Sequence, residues 1–185
     1  MRLSTAERPD RAVALATLRA ALDAGVRLLD TADTYCLDHT DLHHNEALIR
    51  EALASWSGPR HTVLVATKAG LSRPGGRWLP AGAPEQLRAA ALGSRAALGV
   101  DRLTLLQLHA PHGKAVPFAS QIEALAALRA EGVAEHVGLC NVTAAQLDEA
   151  IAICPIASVQ IELSRARPAA LDNGLLLRCA QLGIP

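Results

Sequence analysis

Lys68 terminates the apolar run Thr62-Val63-Leu64-Val65-Ala66-Thr67, in a chain that carries two lysines against 16 arginines. A lysine in such a run is desolvated and needs a partner, or it loses its charge. Asp30 closes a second apolar run that begins at Val26. If the two runs are adjacent parallel strands, about 4.8 Å apart, the carboxylate reaches the ammonium. An ion pair by itself is only structural. Tyr35, the sole tyrosine, follows in the segment that leaves Asp30. An unperturbed phenol loses its proton at about pH 10, and a cation beside it favours the phenolate and makes the group a better proton donor. The plainer alternative is a boundary tyrosine with a packed ring and a solvated hydroxyl. His109 closes the run Leu103-Thr104-Leu105-Leu106-Gln107-Leu108 and can donate a hydrogen bond at the same level, although an isolated histidine there is more often structural. Together Asp30, Tyr35, Lys68 and His109 could polarise and protonate a carbonyl oxygen, and they include no evident nucleophile.

The elements that must position these groups follow from two alternating periods. Helical spacing over Asp10–Ala24, with Asp10 as N-cap and Gly25 as stop, precedes a strand over Val26–Asp30. The couplet recurs as helix Asn45–Ser55 with strand Thr62–Lys68, and helix Pro84–Leu98 with strand Leu103–His109. Helix Phe118–Glu131 then leads to strand His136–Asn141. Helix Thr143–Ala152, opened by a Thr143/Gln146 capping box, leads to strand Ser158–Leu163, and a last helix covers Leu175–Leu182. Near-continuous hydrophobic strands separated by helices predict a parallel α/β sheet. Asp30, Lys68, His109 and Asn141 each end a successive strand, and Gln160 lies in the fifth. Polar residues spread over several strand ends favour a β/α barrel, whose sites assemble on that rim, over an open sheet with one switch point. No GxGxxG or P-loop pattern occurs, and Gly75-Gly76 lies in a loop.

Composition narrows the field. Half of the 185 residues are hydrophobic, mostly small aliphatics, and 18 basic side chains balance 18 acidic ones. With no basic stripe, nucleic acid and anionic membranes have no electrostatic attraction to the chain. The N-terminus has no apolar signal segment and no apolar run approaches the roughly 18 residues of a membrane span, so a cytoplasmic protein is expected. Cys36, Cys140, Cys154 and Cys179 are widely spaced without a CxxC, which predicts reduced thiols. Phe118, Trp56 and Trp78 read as packing or loop-lining residues. A competing reading gathers Cys36, Asp38, His39, Asp41, His43 and His44, with His109 and His112, as ligands of a divalent metal in a hydrolase barrel. Such ligands ordinarily project from strands, whereas a polar loop collects these residue types without any function.

The segments LLDTADTY (28–35), VLVATKAG (63–70), LLQLHAP (105–111), HVGLCN (136–141) and SVQIELS (158–164) resemble, in order, the strand-end motifs of aldo-keto reductases. The resemblance implies a (β/α)8 TIM barrel that reduces an aldehyde or ketone with NADPH, more often than NADH. It makes Tyr35 the general acid, tuned by Lys68 and Asp30, with His109 orienting the substrate carbonyl. Asn141 and Gln160 would hold the nicotinamide carboxamide. Two departures stand out: Cys140 replaces the family's usual serine before the asparagine, and CLDHTDLHH replaces a short glycine-containing turn.

The same resemblance implies that residues 1–185 form a partial barrel domain. Met1-Arg2-Leu3 aligns beyond the first barrel strand, and Leu182 to Pro185 stops where the seventh would begin, leaving about five of eight β/α units. The strands would then present unpaired edges open to self-association. This raises a further alternative, a non-catalytic remnant that acts through self-association or a partner.

Overall fold

The computed structural model describes residues 2–111 and 115–185. From the N-terminus, α1 (Arg11–Asp23), β1 (Leu28–Asp30), α2 (His44–Ser55) and β2 (Leu64–Ala69) lead into a small hairpin of β3 (Leu71–Ser72) and β4 (Leu79–Pro80). Then follow α3 (Pro84–Leu98), β5 (Leu103–Leu108), α4 (Phe118–Ala130), β6 (Ala134–Cys140), α5 (Ala144–Ile153) and β7 (Ser158–Gln160), with α6 (Ala169–Asp172) and α7 (Leu175–Leu182) last. The main sheet has the order β1-β2-β5-β6-β7, and every pairing in it is parallel. It is the arc of a β/α barrel, so the α/β class and the strand succession expected from the sequence both hold.

Several boundaries differ for local reasons. β1 starts at Leu28 because the Val26 and Gly25 amides turn back onto Ala21 O and Leu22 O, with Gly25 at φ 96°, closing α1. β2 starts at Leu64 because the Thr62 and Val63 amides bond to Pro59 O and Arg60 O in a 3-10 turn. β6 begins two residues early, since Leu103 pairs with Ala134. β7 ends at Gln160. Asp10 occupies the N-cap of α1 but its side chain makes no cap bond. The α5 box forms as expected: the Gln146 amide donates to Thr143 Oγ1 (3.2 Å) and the Thr143 amide to Gln146 Oε1 (2.9 Å).

One face of the sheet is sealed. Leu29, Leu106, Leu108, Val137 and Leu139 join Leu18, Leu48, Leu87, Ile122, Leu125 and Leu147 in a single core cluster. Each such burial contributes about 1.5–3 kcal/mol. The helices that cover it pack in sequence, α1 on α2, α2 on α3, α3 on α4 and α4 on α5. The other face is open: Leu28 and Leu64 are 59% and 52% exposed, and with Ala66, Leu105 and Ser158 they line a cavity of about 660 Å³. In the middle of β6, a side chain at Gly138 would come within 2.5 Å of Ser158 Oγ and 2.9 Å of Gln107 Cγ. Through that gap Gln107 Nε2 donates to Ser158 Oγ (3.3 Å), linking β5 to β7 across β6. No helix among the described residues is long and apolar enough to cross a membrane.

Candidate functional site

Period-two alternation places Ala66 and Lys68 on the open face, and the register sets Asp30 beside Ala66. The Lys68 side chain, 2% exposed, therefore runs up beside the Asp30 carboxylate. Its Nζ donates to Asp30 Oδ1 (2.7 Å) and Oδ2 (2.6 Å), to the Thr31 carbonyl (2.9 Å) and to Tyr35 Oη (3.2 Å). The sequence expectation that Asp30 reaches Lys68 is met, and Tyr35 meets the same ammonium. The ladder continues past the strand end, with Thr31 N bonded to Ala66 O (2.8 Å) and Asp33 N to Lys68 O (3.3 Å). This anchors the start of the loop, and a turn from Tyr35 N to Ala32 O (3.2 Å) lifts the phenol over the rim. The Lys68 ammonium also lies 4.8 Å from the Tyr35 ring centre.

His109 is held by its amide bond to Ala69 O (2.8 Å), which places its ring edge-on to Tyr35 with centroids 5.5 Å apart. Trp78, from the turn of the β3–β4 hairpin, meets both rings, at 6.3 Å from Tyr35 and 5.8 Å from His109. These three aromatics, with Leu71, Pro80 and Asn141, line a cleft of about 310 Å³. Trp78 thus borders the cleft rather than only packing a loop. Two-residue strands carry no readable period, so the hairpin was not foreseen; the Pro74-Gly75-Gly76 turn signal was the available clue.

Asn141 sits at φ 57°, and its Nδ2 donates to His109 O (3.0 Å), which ties the ends of β5 and β6 together. Gln160 is paired in register with Cys140, and the Cys140 thiol donates to Gln160 Oε1 (3.4 Å). Asn141 is left with an outward carbonyl acceptor, and Gln160 with amide donors. A primary carboxamide needs one of each, so these two residues fit such a group. Gln160 lies on the larger open face, not in the aromatic cleft. Burial pushes the Cys140 thiol up to about 12, a protonated donor at any ordinary pH.

A polar network that sequence reading missed lies beneath the tyrosine loop. Glu46, fully buried in the first turn of α2, accepts from Thr67 Oγ1 and faces His43 Nδ1 at 2.6 Å. Burial, then the neighbouring Glu46 carboxylate, raises the Asp33 carboxyl to about 7. Burial, the largest influence, acts to lower His43, but its bond to Glu46 together with the Glu46 and Asp33 charges carries it upward. The signal available was a charged residue at a core-facing helical position one turn into α2.

The proposed metal ligands are dispersed. Cys36 bonds Thr34 O, Asp38 caps the Thr40 amide, Asp41 pairs with Arg8, His43 faces Glu46 and His44 faces Ser4. His39 is exposed, and His112 lies outside the described residues. Among the described residues no three His, Cys, Asp or Glu side chains converge as a metal site. Among the described residues the hydrolase reading therefore lacks the geometry it requires.

Comparison with known proteins agrees with the fold. The profile of the aldo/keto reductase family matches residues 1–185. The chain is 39% identical over 155 residues to the uncharacterized oxidoreductase C215.11c of Schizosaccharomyces pombe, covering 83% of this chain and 47% of that protein. It is 36% identical over 181 residues to pyridoxine 4-dehydrogenase of Escherichia coli, covering 95% and 60%. The glycerol dehydrogenase AKR11B4 from Gluconobacter oxydans superposes with a TM-score of 0.84 at 26% identity, over 95% of this chain and 52% of that one. The chain thus spans about half to three-fifths of the length of these relatives.

Proposed function

Because the chain belongs to the aldo/keto reductase family, we propose that it supplies the proton-donating site of a nicotinamide-dependent carbonyl reductase that turns an aldehyde or ketone into an alcohol. The observation that carries this reading is the contact of one buried ammonium, Lys68, with both the Asp30 carboxylate and Tyr35 Oη. NADPH, in preference to NADH, would supply the hydride to the carbonyl carbon. Asn141 and Gln160 would hold its carboxamide through the acceptor and donors left outward on the rim.

The remaining chemistry belongs to the chain. Tyr35 Oη gives its proton to the carbonyl oxygen as that oxygen gains charge. Lys68 Nζ, held by Asp30, stabilises the phenolate left behind, because a cation at hydrogen-bond distance favours the charged form. The nearby His109 ring orients the substrate oxygen toward the phenol. Trp78 and Leu71 exclude water from one side of the cleft.

Tyr35→Phe tests the assignment: oxidation of NADPH by pyridoxal, prompted by the Escherichia coli relative, or by a simple aromatic aldehyde should fall at least about 100-fold. Retained turnover would remove Tyr35 from the role of acid. Parallel assays with NADH rank the two cofactors. A second reading, action through self-association, draws on the exposed Leu28 and Leu64 of the open face. A stable oligomer by sedimentation, without nicotinamide binding, would favour it.

A further inference from the structure

Arg73 is 5% exposed, yet among the described residues it forms no ion pair with a carboxylate. Its charge is met in two other ways. Nη2 donates to the carbonyls of Cys36 (3.3 Å) and Leu37 (3.2 Å), the residues directly after Tyr35. The guanidinium carbon lies 4.0 Å from the centre of the Trp78 ring, a close stacking distance. The hairpin turn approaches the same loop, since a side chain at Gly76 would meet Leu37 O at 3.4 Å. One planar cation therefore joins two segments that otherwise reach the cleft independently: the loop carrying Tyr35 and the hairpin carrying Trp78.

We propose that Arg73 is a positioning residue for the substrate cleft, clamping the Cys36-Leu37 backbone with its hydrogen bonds and the Trp78 ring with the guanidinium that lies over it. This rests on the carbonyl reductase reading given above. Arg73 lies apart from the proton path, because Tyr35 and Lys68 are fixed by β1, β2 and the turn at Ala32. Loss of the clamp frees Trp78, which is 46% exposed and faces Tyr35 and His109 only edge-on. The cleft wall loosens while the acid stays in place, so substrate binding suffers more than the chemical step. A lysine does not replace this arginine, because a point-charge ammonium cannot bond two carbonyls and stack flat on an indole together.

The test is made in a Trp56→Phe background, which leaves Trp78 as the only tryptophan. Arg73→Lys and Arg73→Ala should each raise acrylamide quenching of Trp78 fluorescence at least about twofold. Each should raise KM for an aromatic aldehyde about tenfold while kcat changes less than about threefold. Combined with Trp78→Ala, the Arg73 substitution should add little to KM. Unchanged quenching or unchanged KM in a folded variant overturns the proposal, as do KM effects that multiply independently in the double variant. If Arg73→Ala loses its circular dichroism, Arg73→Lys, which keeps bulk and charge, decides. If the protein turns over no carbonyl at all, the functional reading fails by itself, and the quenching measurement still decides whether Arg73 holds Trp78.

Discussion

The two partners of the rim ion pair differ sharply in exposure: the Lys68 side chain is 2% exposed and that of Asp30 37%. Removing one partner is therefore not equivalent to removing the other. Asp30→Asn strands a buried ammonium that had a carboxylate on two of its contacts, leaving it only neutral oxygens, the new amide's and those of Thr31 and Tyr35. An uncompensated buried charge costs about 3–5 kcal/mol, and the surviving neutral acceptors reduce this to about 3 kcal/mol. Lys68→Met leaves a carboxylate that water already reaches and one backbone carbonyl short of a donor, while its own side chain stays apolar and of similar length. The cost there is about 1 kcal/mol. Urea unfolding followed by circular dichroism should then place Asp30→Asn about 1 M below Lys68→Met in midpoint, for a slope of about 2 kcal/mol per M. Equal midpoints, or a lower one for Lys68→Met, would refute the assignment of the burial cost to the ammonium.

Asp33 makes stability depend on pH. With its carboxyl raised to about 7 in the fold by burial and Glu46, the folded chain keeps a proton that the unfolded chain has released, so stability falls as pH rises between about 4 and about 7. His43, also raised, acts in the same direction. Asp33→Asn should flatten this slope and raise Tm at about pH 8 relative to the parent protein; an undiminished slope counts against it. All four cysteines are buried and free, and burial raises the thiols of Cys36 to about 11 and Cys140 to about 12. Alkylation at about pH 8 should thus modify the native protein slowly and all four sites rapidly in denaturant, and fast native labelling of Cys140 would contradict its burial.

Legibility in the sequence followed the regularity of the backbone. Lys68, Asp30 and His109 could be placed because each ends an apolar run whose strand neighbour is fixed by βα alternation, and parallel pairing does the rest. Tyr35 was reachable for the same reason, its loop being too short to carry it away from Asp30. Trp78 and Arg73 were not reachable, because their positions depend on a hairpin of two-residue strands held by a guanidinium and two carbonyls. Glu46 was hidden by its chemistry: a carboxylate in an amphipathic helix is ordinarily solvent-facing, and only Thr67 and His43, distant in sequence or turned into αL, make its burial tolerable. The CLDHTDLHH loop shows the converse, a suggestive composition whose Cys36, Asp38, Asp41, His43 and His44 are taken up by separate partners rather than by one another.

The sheet order has a consequence for how the chain is made. Each strand of the main sheet after β1 docks against one that precedes it in the sequence, β2 on β1, β5 on β2, β6 on β5 and β7 on β6, and each of α2 to α5 packs on the helix before it. During synthesis no main-sheet strand after β1 has to wait for a later partner before it can pair, so the sheet can grow in the order in which the ribosome releases it. The ammonium of Lys68 can meet its carboxylate as soon as the second strand docks, before the histidine that follows the fifth strand or the asparagine after the sixth can take its place on the rim. The acid of the proposed reaction would thus be assembled on the nascent chain ahead of the residues that present a substrate to it.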